Sequence, residues 1–319
     1  MIKRTLYFGN PTYLNTRDEQ LVINFPGTKE MKGLENAIPI EDIGLVILDH
    51  QQITITHSVI AKLLANNVAL ITCNETHHPT GLMLNLDGNQ LQSARFQAQV
   101  EASLPLKKQL WQQTVKMKIQ NQAAHLKKIE KHHENMYRWV DEVKSGDAEN
   151  HEARAAVYYW KNLFLGIAQD VKSSEDRETV ELYLNKFKRE REGLPPNNLL
   201  NYGYAILRAV VARSLVGSGL IPTLGIFHRN QYNAYCLADD VMEPYRPFVD
   251  EIVLSMITQS EDFTQLTLSI KKQLLTIPAI DVVIEGERSP LMIGVHKTTA
   301  SLAKCFEGKT RKILYPDFV

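Results

Sequence analysis

Hydrophobic spacing changes its period once along this 319-residue chain, near residue 90, and no other feature constrains the fold as strongly. Before that point the apolar residues come in short β-branched runs, TLYFG, QLVINF, GLVILD, QITIT and VALITC, separated by Gly, Pro, Asn and Asp. HSVIAKLLANN reads as a short helix between the fourth and fifth runs. The turn-forming NLDGNQ at 85–90 ends the pattern, and from Gln92 to about residue 275 almost everything has helical spacing. The expected fold class is α+β, with an N-terminal β-strand domain over 1–90 and a larger all-α domain over 91–319.

Within the helical part, Trp111, Val115, Ile119, Ala123, Leu126 and Ile129 recur at steps of three and four, an amphipathic stripe that reads as core. The same region carries charge. From Ser93 to Lys131 eight basic residues (Arg95, Lys107, Lys108, Lys116, Lys118, Lys127, Lys128, Lys131) stand against Glu101 and Glu130, a local excess of six in a chain whose 36 basic and 36 acidic residues cancel. That face is either solvated or a track for phosphates. In KSGDAENHEARAAVYYWKNLFLG, Asp147 suits an N-cap, Glu149 suits the first turn, and the apolar residues that follow predict a buried helix with Glu152 at its edge. A carboxylate there requires a partner or a metal.

NNLLNYGYAILRAVVARSLVG predicts a long buried helix, stopped by GSGLIPTLG, which leads into HRNQYNAYCLADDVMEPYRPFVDE. If CLADDVMEPYRPF is helical, Leu237, Val241, Pro244 and Phe248 share one side and Asp239 and Glu243 the other, with Asp240 between and a kink or restart at Pro244. The carboxylates are either a solvated face or, with His228, ligands of a divalent cation. Oxygen donors suit Mg²⁺ and Mn²⁺, and one imidazole leans toward Mn²⁺. Such a cation polarises a phosphoryl oxygen, which points to phosphodiester chemistry. Zinc is disfavoured, with no HExxH pair and three cysteines (Cys73, Cys236, Cys305) too scattered for a structural site; they read as buried free thiols. GxxxxGK[ST], a strand-linked GxGxxG and GxSxG are also missing. Without a signal-peptide core or an uninterrupted apolar run, the chain reads as cytoplasmic.

The segments GDAENHEARAAVYYW, NNLLNYGYAILRA, GLIPTLGIFHRNQYNAYCLADDVMEPYRPFVD and TTASLAKCFEGKTRKILYP, with VALITCNETHHPTGLMLNLDGN before them, occur in an order that resembles the universal integrase and endonuclease of CRISPR adaptation, type II branch. The resemblance covers nearly the whole chain. It implies an N-terminal β domain that dimerises and a helical domain whose Glu152, His228 and Glu243 bind Mg²⁺ or Mn²⁺ and carry the catalysis. It further implies partners: double-stranded DNA (spacer precursor and CRISPR repeat), a second copy of the chain, and a central dimer of the small second adaptation protein. The implied reaction joins the 3′-hydroxyl ends of a short DNA to the repeat by transesterification. Asp240 would be a supporting residue or alternative ligand, and Arg229, Asn230, Asn233 and Arg246 contacts to DNA phosphates or to the carboxylates. Two rival readings use the same residues: a metal-dependent nuclease that hydrolyses DNA, and a DNA-binding architectural subunit whose acidic cluster is structural.

Overall fold

The computed structural model describes residues 3–26, 36–169, 174–185, 187–190, 192–259 and 262–319. The strand-rich part runs β1 (Arg4–Phe8), β2 (Thr12–Arg17), β3 (Gln20–Asn24), β4 (Asn36–Pro39), β5 (Ile43–Leu48), β6 (Ile53–Ile55), α1 (His57–Ala65), β7 (Ala69–Cys73) and β8 (Pro79–Met83). Helices follow: α2 (Gln92–Val100), α3 (Leu104–Lys128), α4 (Glu134–Glu142), α5 (His151–Leu163), α6 (Ser174–Leu184), α7 (Asn197–Gly217), α8 (Cys236–Met242), α9 (Arg246–Thr258) and α10 (Leu268–Leu274). A hairpin, β9 (Asp281–Ile284) and β10 (Glu287–Pro290), precedes the last helix, α11 (Leu291–Phe306). Among the described residues no helix is long and apolar enough to cross a membrane.

All five expected strand runs and the helix between the fourth and fifth are present, and α1 starts at an N-cap, Thr56, whose side chain accepts from Val59 N. Three strands lacked a strong sequence signal. β2 alternates buried Thr12 and Leu14 with exposed Tyr13 and Asn15, so half of it is polar. β4 and β8 are edge strands carrying Pro39 and Pro79, where proline is tolerated and hydrophobicity is diluted.

The described strands β1 to β8 form two sheets, ordered β1-β5-β7-β8 and β4-β3-β2-β6. In the first, β1, β5 and β7 are parallel and β8 is antiparallel. The central strands β5 and β7 are buried on both faces, which accounts for their continuous apolar runs. Leu45, Ile47, Ala69 and Ile71 join the helical core, whereas Val46 and Leu70 pack with Leu14, Leu21, Val59 and Leu63 of the strand layer. One sheet thus serves two cores.

The helical part is built around α7, which packs on α8, α9 and α11, and around α3, which packs on α4, α5 and α9. Leu199, Leu200, Ile206, Leu207, Val210, Val211 and Leu215 of α7 are buried, as the spacing predicts. Its two arginines are used internally: Arg208 Nε donates to Asp239 Oδ1 at 2.6 Å and Arg213 Nε to the Asn67 carbonyl at 2.5 Å. The stripe from Trp111 to Leu126 is core as well, with Ile129 packed at its margin. Two features depart from the expectations for 91–319, one in its all-helical content and one in the burial of α5. The hairpin turns on Glu285 and Gly286, both at positive φ (53° and 80°), the conformation a two-residue hairpin turn requires. Helix α5 is buried on one side only; Val157 is 73% exposed, so the run of apolar letters there includes an outward face. Cys236 and Cys305 are buried free thiols and Cys73 is half-buried.

Candidate functional site

Proline 244 divides the quoted acidic segment as its chemistry requires. α8 ends at Met242, a 3₁₀ turn covers Glu243–Tyr245, and α9 restarts at Arg246. Buried Asn121 of α3 holds the turn: its Nδ2 donates to the Pro244 and Pro316 carbonyls, both at 2.8 Å, and its Oδ1 accepts from Phe318 N. The C-terminal tail, α3 and the turn are therefore one unit, and Glu243 leaves it pointing at α3.

Glu152 arrives from the first turn of α5. Asp147 caps that turn with both oxygens, accepting from His151 N and Glu152 N at 2.9 Å each. It does so from three residues before the N-cap position, which Asn150 occupies at φ 56°. Glu149 is not in the first turn; it lies outside the helix, exposed, paired with Lys144 at 2.5 Å.

The two glutamates meet on one cation. Lys118 Nζ of α3 pairs with Glu152 Oε1 and lies 2.6 Å from Glu243 Oε2. Glu243 Oε1 accepts from Arg246 Nε at 2.8 Å, and the Arg246 guanidinium lies over the Tyr204 ring, 4.4 Å from its centre. Burial raises the Glu243 carboxyl, yet Arg246 and Lys118 together hold it down at about 2.

Histidine 228 is positioned by Asp240. Asp240 has no exposed surface, and its oxygens accept from the backbone N–H of Ile226 (2.7 Å), Phe227 (2.9 Å) and His228 (3.3 Å) as well as pairing with His228 Nδ1 at 2.5 Å. The bond to Asp240 raises the pKa of the imidazole, while burial pushes the Asp240 carboxyl upward against the donors that draw it down. The loop comes so close that a Cβ on Gly225 would overlap the His228 carbonyl and lie 2.9 Å from Asp240 Oδ2. With Nδ1 tied, the other ring nitrogen is left for a ligand. The His228 ring stands edge-on to Trp111 (5.6 Å, 86°), and Phe227 stacks flat on the same indole (4.3 Å, 2°), so Trp111 is a core platform for the loop.

These contacts correct several expectations. Asp239, Asp240 and Glu243 do not form one solvated face; all are buried, and each turns to a different partner, Asp239 to Arg208 and Asn233. Asp240 has its oxygens engaged by amides and imidazole, the contacts of a residue that supports His228. Arg246 meets a carboxylate. In the basic stretch, Lys118 is buried, Arg95 pairs with Glu307 and Lys128 with Glu251, while Lys108 and Lys127 remain exposed. Lys118 is the residue sequence reasoning missed. Its signal was present: it follows Val115 by three and precedes Gln122 by four, on the buried side of α3.

Glu152, Glu243 and Lys118 line a cleft of about 840 Å³, together with Arg189, Arg246 and Trp160. His228 is not in its lining, and among the described residues no three His, Cys, Asp or Glu side chains are drawn close enough to hold a metal ion. The donor chemistry nevertheless fits a hard divalent cation: two carboxylates converging on a positive charge, and an imidazole fixed through Nδ1. The Lys118 ammonium stands in for that charge.

At the cleft floor, Asp250 accepts from Tyr159 OH at 3.0 Å and from Tyr204 OH. Burial pushes its carboxyl from the ordinary 3.8 up to about 7. The native state therefore keeps a proton that the unfolded chain releases above pH 4, so this group's contribution to stability is full below about 4 and is lost as pH rises through about 7. Asp250→Asn is expected to remove that loss, by up to about 1.4 kcal/mol per pH unit across the window. Urea midpoints of both proteins at intervals from pH 4 to 8 check it; parallel curves would contradict it.

The family profile described as "CRISPR associated protein Cas1" matches residues 6–271. A "CRISPR-associated endonuclease Cas1" of Neisseria meningitidis serogroup C (strain 8013) is 32% identical over 316 residues, 98% of this chain and 95% of the relative. Among solved structures, a "Casposase bound to integration product" superposes with a TM-score of 0.74 at 21% identity, covering 100% of this chain and 93% of the other. A chain of a "Cas6-RT-Cas1–Cas2 complex" superposes with a TM-score of 0.69 at 18% identity, covering 97% of this chain and 35% of the other. With a profile match over most of its length and a relative this similar along nearly all of it, the chain belongs to the CRISPR-associated Cas1 family.

Proposed function

We propose that the protein is a metal-dependent DNA integrase and endonuclease of CRISPR adaptation, joining the 3′-hydroxyl ends of short spacer-precursor DNA to the CRISPR repeat by transesterification. The observation that carries the reading is the clasp of Glu152 and Glu243 on one buried cation in the wall of a cleft lined by further cations. Support also comes from the endonuclease name of the Neisseria relative and from the integration product bound to the casposase.

Glu152, His228 and Glu243 would hold Mg²⁺ or Mn²⁺. When bound, such a cation withdraws charge from a phosphodiester oxygen and steadies the crowded phosphorus of the transition state. The chain's own residues do the rest. Asp240 holds the imidazole in one tautomer and one orientation, and Arg246 keeps Glu243 ionised. Lys161, Lys188 and Arg189 along the cleft, with Lys108 and Lys127 of α3 outside it, neutralise DNA phosphates. One P–O bond is exchanged for another, so no covalent protein intermediate is required.

In this reading residues 1–90 supply the dimer contact and 91–319 the catalytic part. The partners are double-stranded DNA, a second copy of the chain, and a central dimer of the small second adaptation protein. A structural neighbour that is a chain of a Cas6-RT-Cas1–Cas2 complex supports that last assignment. The compartment is the cytoplasm.

The test is a gel assay in which the protein, with and without the small partner, meets a short duplex with 3′-hydroxyl ends and a supercoiled plasmid bearing a repeat array. Strand joining in Mg²⁺ or Mn²⁺ that EDTA stops, and that weakens steeply between 50 and 200 mM salt in proportion to the phosphates contacted, is the expected result. Nicking without joining favours the hydrolytic nuclease, the reading the relative's name also supports. DNA binding without any strand scission returns the acidic cluster to a structural role.

A further inference from the structure

Lys118 has no role in the reaction described above, yet its place is costly. It is 6% exposed, and an ammonium that deep is tolerated only with close counter-charges. Those counter-charges are the two glutamates of the site. Glu243 Oε1 accepts from Arg246 Nε at 2.8 Å, whereas the buried Oε2 has no hydrogen bond and faces Lys118 Nζ only as an ion pair at 2.6 Å, while Lys118 also holds Glu152 Oε1. A divalent cation held by these two carboxylates would compete for oxygen atoms that already face a positive charge, Glu243 Oε2 among them.

We propose that Lys118 is the resident counter-cation of the Glu152–Glu243 pair, a positioning residue that neutralises the pair in the metal-free protein and gives up Glu243 Oε2 when a divalent cation binds. The inference rests on the metal reading above. Two consequences follow. Metal affinity is lowered by the work of displacing Nζ. Metal and DNA also help each other: Lys118 lines the cleft, so the displaced ammonium finds a replacement partner in a DNA phosphate, and each ligand tightens the other by the same factor.

The experiment is Mn²⁺ titration followed by electron paramagnetic resonance, on the full chain and on Lys118→Met, with and without a short DNA duplex. Methionine keeps the length and removes the charge. The variant is expected to bind Mn²⁺ about tenfold more tightly than the parent without DNA, the scale of one nearby like charge, and to lose most of the enhancement that DNA gives the parent. Equal affinities in the two proteins overturn the inference and leave the metal reading standing. No Mn²⁺ binding by either protein, with DNA still bound, overturns the metal reading and this inference with it. Since Lys118→Met leaves the buried Glu243 carboxylate and the half-buried Glu152 carboxylate without their shared cation and can fail to fold, a crystal of the parent soaked in Mn²⁺ provides the second measurement. The ion between Glu152 and Glu243 with Nζ moved off Oε2 supports the displacement, and the ion there with Nζ still in place sinks it.

Discussion

Alanine at position 228 is expected to lower metal-dependent strand joining by about a hundredfold or more, while leaving the folded state and DNA binding near the parent's. Losing a residue that merely orients a ligand already costs 10- to 100-fold in metal sites, so losing a ligand sets that range as a floor. The fold survives because the His228 side chain is 45% exposed and because Asp240 keeps its three backbone donors after the imidazole is gone. Joining rates from the gel assay, set beside circular dichroism and duplex binding of the same preparation, provide the check. An active His228→Ala protein would remove the histidine from the chemistry altogether.

Asp240→Ala is expected to behave in the opposite way, failing first in stability. The carboxylate is fully buried and accepts from the amides of Ile226, Phe227 and His228, so its removal strands three donors in a closed space and leaves the imidazole without its anchor. A loss of about 3–5 kcal/mol is expected, the scale of breaking a buried charged pair. Asp240→Asn keeps one acceptor oxygen and turns a donor toward the amides, so an intermediate loss is expected. Urea denaturation of the three proteins orders them. A near-neutral alanine variant would show that the loop from Gly225 to His228 is held by something other than this carboxylate.

These two variants mark where the letters of the chain were informative and where they were not. The strands β1, β3, β5, β6 and β7 and the helices α3 and α7 could be read directly, because each buries a face or a stripe and hydrophobic period records burial. β2, β4 and β8 could not, since an alternating strand with polar outer residues and two proline-bearing edge strands leave little apolar signal. The hairpin at 281–290 rests on the turn Glu285-Gly286 more than on hydrophobicity. Around the candidate site, the carboxylates and His228 stood out as a cluster, and the resemblance to adaptation integrases separated Glu152 and Glu243 from their acidic neighbours. Asp147 was readable as a cap, though the residue that takes the first turn is Glu152 and not Glu149.

What the sequence determined by itself is local: the change of period near residue 90, the buried stripes of α3 and α7, and the break at Pro244. Each follows from the covalent chemistry and spacing of neighbouring residues. Which carboxylate serves which partner was decided only by the tertiary structure, because Lys118 and Glu243, or Gly225 and Asp240, are distant in the chain and meet across packed elements. A charge's role depends on what lies within a few ångströms of it in a medium of low dielectric. Spacing along the chain carries no record of that distance, so Lys118 reads as one basic residue among eight until α3, α5 and the turn at Glu243 are brought together.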